Sequence, residues 1–173
     1  MGKSKTDSIR ILGVDSALRS TGLGVIGVRG TRLEVLQHGL VKNPAAWPRS
    51  RCLSRLQTAI TEILEQSKPE SVAIEGVFFC KNVRTAVSLG EVRGVVIAAC
   101  AAAGKPVYEY PPRRVKQAVV GFGAASKEQV MRMVVRLLDL RAPPPEDVAD
   151  ALAIAICHAH SRKLGAFMDA KEI

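Results

Sequence analysis

Two aspartates, Asp147 and Asp150, stand three residues apart in the stretch PPPEDVADALAIAICHAH at 143–160. That spacing puts both on one face of a helix. The helix is apolar almost all round, which marks it as buried. Asp147 lies near the positive end of the helix dipole, where an anion is tolerated. Asp150 sits between two alanines with no Lys or Arg close in sequence, and a carboxylate there is costly unless something cationic meets it. From this stretch alone the simpler reading is one capping Asp and one Asp paired to a distant Arg; the sharper reading is a pair of ligands for a divalent cation. Two more acids end apolar strand patterns: Asp15 after Ile9–Val14 and Glu75 after Ser71–Ile74. Four carboxylates without a suitable His or Cys cluster point to a hard, oxygen-ligated cation. Mg²⁺ suits a few carboxylates plus substrate phosphate oxygens. Two such ions roughly 3.5–4 Å apart activate a water and stabilise the leaving oxygen of an in-line displacement. The chemistry expected is phosphodiester hydrolysis.

The elements that must position these acids follow from the patterning. Ile9–Val14, Thr21–Val28 and Arg32–Val41 read as three strands joined by short turns, hence an antiparallel meander. After a loop at Lys42–Pro48, Leu53, Leu56, Ile60, Ile63 and Leu64 keep helical spacing. The Glu75 strand then arrives through a crossover, so it runs parallel to a meander strand. Beside the Asp15 strand, it would set the two acids together at the carboxyl ends, where open α/β sheets carry their sites. Residues 83–104 read as a long helix, apolar on more than one face, with Gly90 and Gly94 permitting close approach. A twofold homodimer is expected through it. Pro106–Tyr110 is a fifth strand, and Ser126 with Gln129 forms a capping box opening a helix. Gly22, Gly24 and Gly27 match GxGxxG, but they lie inside a strand and precede a charged turn, so they mark close packing or a bulge and no dinucleotide site.

Lys and Arg outnumber Asp and Glu by 25 to 16, a net charge of +9. Seven of the basic residues and two acids fall between Lys105 and Arg136. So concentrated an excess suits a polyanion, nucleic acid first. Gly121 and Gly123 form a loop able to bring backbone N–H groups to a phosphate. One of the adjacent Phe78 and Phe79 is free to stack on a base. His158 and His160 are expected near a helix end, where imidazolium is tolerated. The 47% hydrophobic content argues against disorder. No unbroken apolar run reaches a membrane span, and MGKSKTDSIR lacks the apolar core of a signal peptide. A cytoplasmic protein is expected, with reduced, mostly buried thiols. One domain over 1–173 is expected, with its core at about 9–160 and polar tails at 1–8 and 161–173.

Five strings, GVDSALRSTGLGVI, VAIEGVFFCKN, LGEVRGVV, VYEYPPRRVKQAVVG and EDVADALAIAICHAH, occur in that order between Ile9 and His160. Together they resemble the RuvC-type Holliday junction resolvases of bacteria. The resemblance implies an α/β, ribonuclease-H-like fold, a five-stranded mixed sheet of three antiparallel strands then two parallel ones, flanked by helices. It implies a homodimer that cuts four-way DNA junctions symmetrically on two strands of like polarity, leaving 5′-phosphate and 3′-hydroxyl ends, in partnership with a RuvA–RuvB branch-migration complex. Carried onto this chain, Asp15, Glu75, Asp147 and Asp150 are the metal-binding catalytic set for two Mg²⁺ ions, with Mn²⁺ substituting. Phe78 corresponds to the family's DNA-stacking aromatic, and Lys116 and Lys127 to basic residues near the scissile phosphate. Lys81, Arg84 and Arg113 are further expected DNA contacts. This chain has Ser16-Ala17 where the family commonly has Pro-Gly, and Glu91 where it usually has Gln. The alternatives are a ribonuclease-H-like nuclease acting on RNA and a junction-binding protein without catalysis.

Overall fold

The computed structural model describes residues 8–76, 82–163 and 171–173, so the expected DNA contacts Phe78 and Lys81 lie outside the described residues. β1 (Ile9–Asp15), β2 (Ser20–Arg29) and β3 (Arg32–Lys42) form the antiparallel meander. The chain then crosses through α1 (Arg49–Ser67) to β4 (Ser71–Glu75), and through α2 (Val83–Ala102) to β5 (Val107–Tyr110). α3 (Pro112–Val120), α4 (Lys127–Leu137) and α5 (Glu146–Lys163) follow, and β6 (Lys171–Glu172) closes the order. The sheet order is β3-β2-β1-β4-β5-β6, with β1, β4 and β5 parallel.

The five expected strands and their directions are all present. A sixth, two-residue strand pairs antiparallel with β5, bringing Glu172 opposite Tyr108. The expected polar tail at 161–173 is thus shorter, because α5 continues to Lys163 and 171–172 pair with the sheet edge. α3 had no counterpart in the sequence reading. Its signal was Pro112 in the first turn and Gly121 at the C-cap with φ +99°, the usual proline-then-glycine bracket.

Period-2 alternation divides the sheet cleanly. Ile11, Ile26, Val28 and Ala73 face the side covered by α3, α4 and α5. Leu12, Val14, Leu23, Val25, Val72 and Ile74 face α1 and α2. The same alternation turns Asp15 and Glu75 toward α5, each two residues beyond a residue that packs against it (Gly13 and Ala73). By length and composition α2 is apolar enough to cross a membrane. Arg84, Glu91 and Arg93 interrupt its apolar run in the sequence. In this fold Val92, Val96, Ala99 and Cys100 of α2 are buried against the core.

The glycines of β1 and β2 are where α5 lies on the sheet. A Cβ on Gly22 would stand 1.8 Å from the Asp147 carbonyl oxygen, and one on Gly13 would stand 2.0 Å from that of Ala151. On Gly24 it would meet the Leu152 side chain at 2.7 Å. Backbone cannot yield as a flexible side chain can. Gly22→Ala and Gly13→Ala are therefore each expected to lose roughly 1–3 kcal/mol or more, as overpacking does. Gly39→Ala, with nothing within 4 Å of the added carbon, should stay within about 0.5 kcal/mol of the parent. Urea midpoints of the three variants check this; equal losses at all three sites would refute the close-approach argument.

Candidate active site

Asp15 and Glu75 come together because β1 and β4 pair in parallel up to Val14 opposite Ile74, and each acid is the next residue. α5 brings Asp147 and Asp150 over the same strand ends. It begins at Glu146, and its first turns lie on Gly22 and Gly13. Three of the four expected acids thus share one recess, while Asp147 stands outside its lining and acts on Asp15 through its charge. Asp15, Glu75, Asp150, Lys116 and Lys127 line one recess of about 290 Å³, walled by Val115, Val130 and Ile154. A second recess of about 260 Å³ shares Asp15, Glu75 and Pro112 and extends to Ser16, Leu89 and Arg93.

The electrostatics are those of acids crowded together. Burial pushes the Asp15 carboxyl from 3.8 up to about 7, with Asp150, Glu75 and Asp147 adding to the rise and Lys127 opposing it. Glu75 is also raised, first by loss of water within the cleft walls and then by Asp150, while Lys116 and Lys127 lower it. Asp150 is raised by burial and held down by Lys127, whose Nζ lies 3.6 Å from Asp150 Oδ2. Lys127 also donates to Glu146. Among the described residues, no three His, Cys, Asp or Glu side chains close into a ready-made cation cage. The donors nevertheless fit a hard divalent cation: they are all oxygen, and desolvation and mutual repulsion leave their charge short of compensation.

Several supporting contacts escaped the sequence reading. Ser20 Oγ donates to Asp147 Oδ2, because Ser20 shares the face of Gly22 on β2. Arg93 donates to the Glu75 carbonyl at 3.3 Å and pairs with Glu109 at 2.6 Å, fixing the end of β4. Neither is visible in sequence, since each joins elements far apart in the chain. The Ser16-Ala17 turn is tied by Thr21, whose hydroxyl donates to the Ala17 carbonyl at 2.8 Å and accepts from the Ala17 N–H at 3.3 Å. Glu91 pairs with Arg49 at 3.1 Å.

Other expectations are corrected. His158 is not an imidazolium at a helix end. It is buried between Ser71 Oγ at 2.9 Å and Tyr110 Oη at 2.7 Å, and burial lowers its pKa to about 4. Gly121 is the C-cap of α3, and Gly123 leaves room for the Arg113 stem, which a Cβ there would meet at 2.3 Å. Helix capping and packing therefore account for both glycines without a phosphate. Arg113 and Arg84 are exposed on α3 and at the start of α2. Cys52, Cys100 and Cys157 are free and buried, as expected of structural thiols.

The crossover junction endodeoxyribonuclease RuvC family matches residues 11–158. A relative of that name from Rubrobacter xylanophilus is 46% identical over 157 residues, covering 90% of this chain and 88% of its own length. One from Heliobacterium modesticaldum is 49% identical over 159 residues, covering 90% and 96%. Among solved structures, T. thermophilus RuvC in complex with a Holliday junction substrate is similar with TM-score 0.89 and 37% identity, over 95% of this chain and 99% of that one. The yeast mitochondrial Holliday junction resolvase Ydc2, at 10% identity, TM-score 0.68 and 91% and 80% coverage, shares the fold.

The raised Asp15 carboxyl has a consequence for stability. Between about pH 4 and 7 the folded chain keeps a proton on Asp15 that the unfolded chain has released, so this group favours folding as pH falls and opposes it most above pH 7. In chelator, Asp15→Asn is expected to be more stable than the parent at pH 8, by on the order of 2–4 kcal/mol. The gap should close toward pH 4. His158 acts in the opposite direction but equally in both proteins. Urea unfolding across pH measures the gap; parallel curves would show that the Asp15 carboxyl is not raised in the folded chain.

Proposed function

The chain belongs to the crossover junction endodeoxyribonuclease RuvC family, and from that premise we propose that it resolves four-way DNA junctions by metal-dependent hydrolysis of one phosphodiester in each of two strands. The observation that carries this reading is the meeting of Asp15, Glu75 and Asp150 in one cleft with Lys116 and Lys127, with Asp147 near enough to add to the rise of the Asp15 carboxyl.

Those four carboxylates are the residues that would hold magnesium, two ions per cleft, with manganese able to substitute. Bound there, the metal supplies Lewis-acid activation of water and neutralises charge developing on the phosphate. The protein's part is positional. Strand ends fix Asp15 and Glu75, the helix fixes Asp147 and Asp150, and Ser20 holds the Asp147 carboxylate in one orientation. Asp147, nearest the helix start, would act partly as a base that accepts a proton from the attacking water. Lys116 and Lys127 hold the scissile phosphate and reduce repulsion between it and the acids. Attack in line with the P–O3′ bond breaks that bond and leaves a 5′-phosphate and a 3′-hydroxyl.

One cleft hydrolyses one strand, so paired cuts call for two copies. The open face of α2 supports a twofold dimer: Val83 and Val87 are 78% and 50% exposed, and added Cβ atoms at Gly90 and Gly94 would meet nothing within 4 Å. A DNA substrate of this kind places the protein in the bacterial cytoplasm. The resemblance adds a RuvA–RuvB branch-migration complex as its working partner.

The decisive experiment incubates the protein with a synthetic four-way junction and Mg²⁺. Paired symmetric nicks are expected, and Asp150→Asn should abolish them while junction binding survives. Random nicking of linear duplex, or equal cutting of RNA, would overturn the assignment. A separate measurement addresses the lysines. Lys116→Ala and Lys127→Ala should each make the salt dependence of junction binding shallower by about one unit of slope, the amount lost per phosphate contact. An unchanged slope would remove that lysine from the backbone-contacting set.

A further inference from the structure

The corner between β3 and α1 carries a cationic cluster that the cleft does not use. Trp47 lies half-buried in it. The guanidinium of Arg51 stacks over its ring at 3.8 Å, and that of Arg55 stands 5.5 Å from the ring centroid. Both arginines are exposed, and neither has an acidic partner among the ion pairs of the described residues. The corner itself is rigid. Arg19 donates to the carbonyls of Pro44 at 2.7 Å and Trp47 at 3.2 Å, and the Trp47 N–H donates to the Pro44 carbonyl at 3.1 Å.

This arrangement works against the helix it sits on. α1 opens at Pro48 with no side-chain cap and no acid in its first turn, where Arg49 and Arg51 stand instead. Cations near a helix N-terminus oppose its dipole. Arg49 recovers something by pairing with Glu91; among the described residues Arg51 and Arg55 meet the ring, which orients them but does not neutralise them. Pre-oriented, uncompensated guanidinium groups on a rigid corner suit a partner that brings its own negative charge.

The position of the corner selects the partner. Lys42, at the end of β3, pairs with Ser20, and Asp15 pairs with Gly22. The corner therefore lies at the same end of the sheet as the carboxylates. It belongs to the α1–α2 side, whereas Lys116 and Lys127 approach from the α3–α4 side. Positive charge thus flanks the strand ends from both faces. We propose that Arg51 and Arg55, held on Trp47, grip the sugar–phosphate backbone of a duplex arm leaving the cleft, and so extend the DNA track across the end of the sheet. This rests on the function proposed above and adds to it a second, separate contact surface.

The test compares the full chain with an Arg51→Gln/Arg55→Gln double variant, since Gln keeps helix propensity close to that of Arg. Arg29→Gln/Arg32→Gln serves as a control: it removes the same charge from the β2–β3 turn, at the far end of the sheet. Binding to a synthetic four-way junction is measured over a range of salt, with long arms and with arms cut short, alongside melting temperature and single-turnover cleavage at saturating junction. The Arg51/Arg55 variant should melt no lower than the parent, cleave at the parental rate when saturated, and show a salt slope shallower by roughly two units. Its deficit should vanish on short-armed junctions, while the control variant keeps the parental slope. A parental slope in the Arg51/Arg55 variant, or an equal fall in the control, overturns the proposal. If the slope stays parental while affinity for an acidic protein partner falls, the corner is a protein-docking surface and the proposal fails on that arm. If the parent itself neither binds nor cuts the junction, the function proposed above has failed instead.

Discussion

The backbone of α5 runs so close to β1 and β2 that its carbonyl oxygens lie 2.0 and 1.8 Å from where Cβ atoms would stand on Gly13 and Gly22. Only residues without a side chain allow that approach. The arrangement of the acids depends on it, because it sets the height of α5 above the strand ends and hence the reach from Asp147 and Asp150 to Asp15 and Glu75. The apolar faces of α5 serve the same end. Val148, Ala149, Ala151, Leu152, Ala153, Ile154, Ala155 and Ile156 are all buried, which leaves the helix little freedom to rotate or slide. His158 adds a polar lock at the other end, joining α5 to Ser71 at the start of β4 and to Tyr110 at the end of β5. A functional set is only as well placed as its supports, and here these are glycine backbone on one side and a filled core on the other.

Rigid placement has an electrostatic consequence. Burial in the cleft, with neighbouring acids held too close to move apart adding to it, raises the carboxyls of Asp15, Glu75 and Asp150. Lys127 offsets part of it but is shared with Glu146. The cleft thus trades fold stability for readiness to take up positive charge, a departure from local optimisation that is expected at working sites. The Trp47 corner shows the same trade with the sign reversed: cations sit where the dipole of α1 would prefer acids. Both departures from stability lie at the carboxyl ends of the parallel strands.

The parts legible in sequence were those written in local pattern. Strand alternation ending in an acid located Asp15 and Glu75; the crossover rule made their strands' parallel pairing possible, and the β1–β4 register made them neighbours. Three prolines and an apolar run located α5, and Ser126 with Gln129 gave the cap of α4. The rejected GxGxxG match at Gly22, Gly24 and Gly27 was informative in the way expected, since two of its glycines mark the contact with α5. What stayed hidden is non-local or competes with a stronger cue. Ser20 meets Asp147 across 127 residues of chain. His158 reads as a surface histidine until Ser71 and Tyr110 arrive from two strands. α3 was masked by its own charge: Arg113, Arg114 and Lys116 drew attention to a basic stretch, although Val115 and Val119, four apart, form its buried stripe. Trp47 and Arg51 lie in a loop and a helix start whose pairing no periodicity reveals.

The two sides of the sheet divide the work unequally. On one side α5 packs along its whole length and α3 and α4 flank it, so that side is committed to holding the carboxylates. On the other, α1 and α2 bury one stripe each and α2 leaves Val83, Val87, Gly90 and Gly94 uncovered. A symmetric substrate with two scissile phosphates asks for this asymmetry within each copy. A surface that joins two copies must be able to form without disturbing the acids, and it can do so when the elements it uses do not carry them. α2 meets that condition, since it carries none of the four carboxylates and its buried residues pack with α1, β4 and β5. Among the described residues it reaches the site through Leu89 and Arg93, which line a recess with Asp15 and Glu75, and Arg93 also grips the end of β4 through the Glu75 carbonyl and Glu109. A dimer built on α2 would therefore register each cleft against the other through the backbone of β4, leaving the carboxylates themselves untouched.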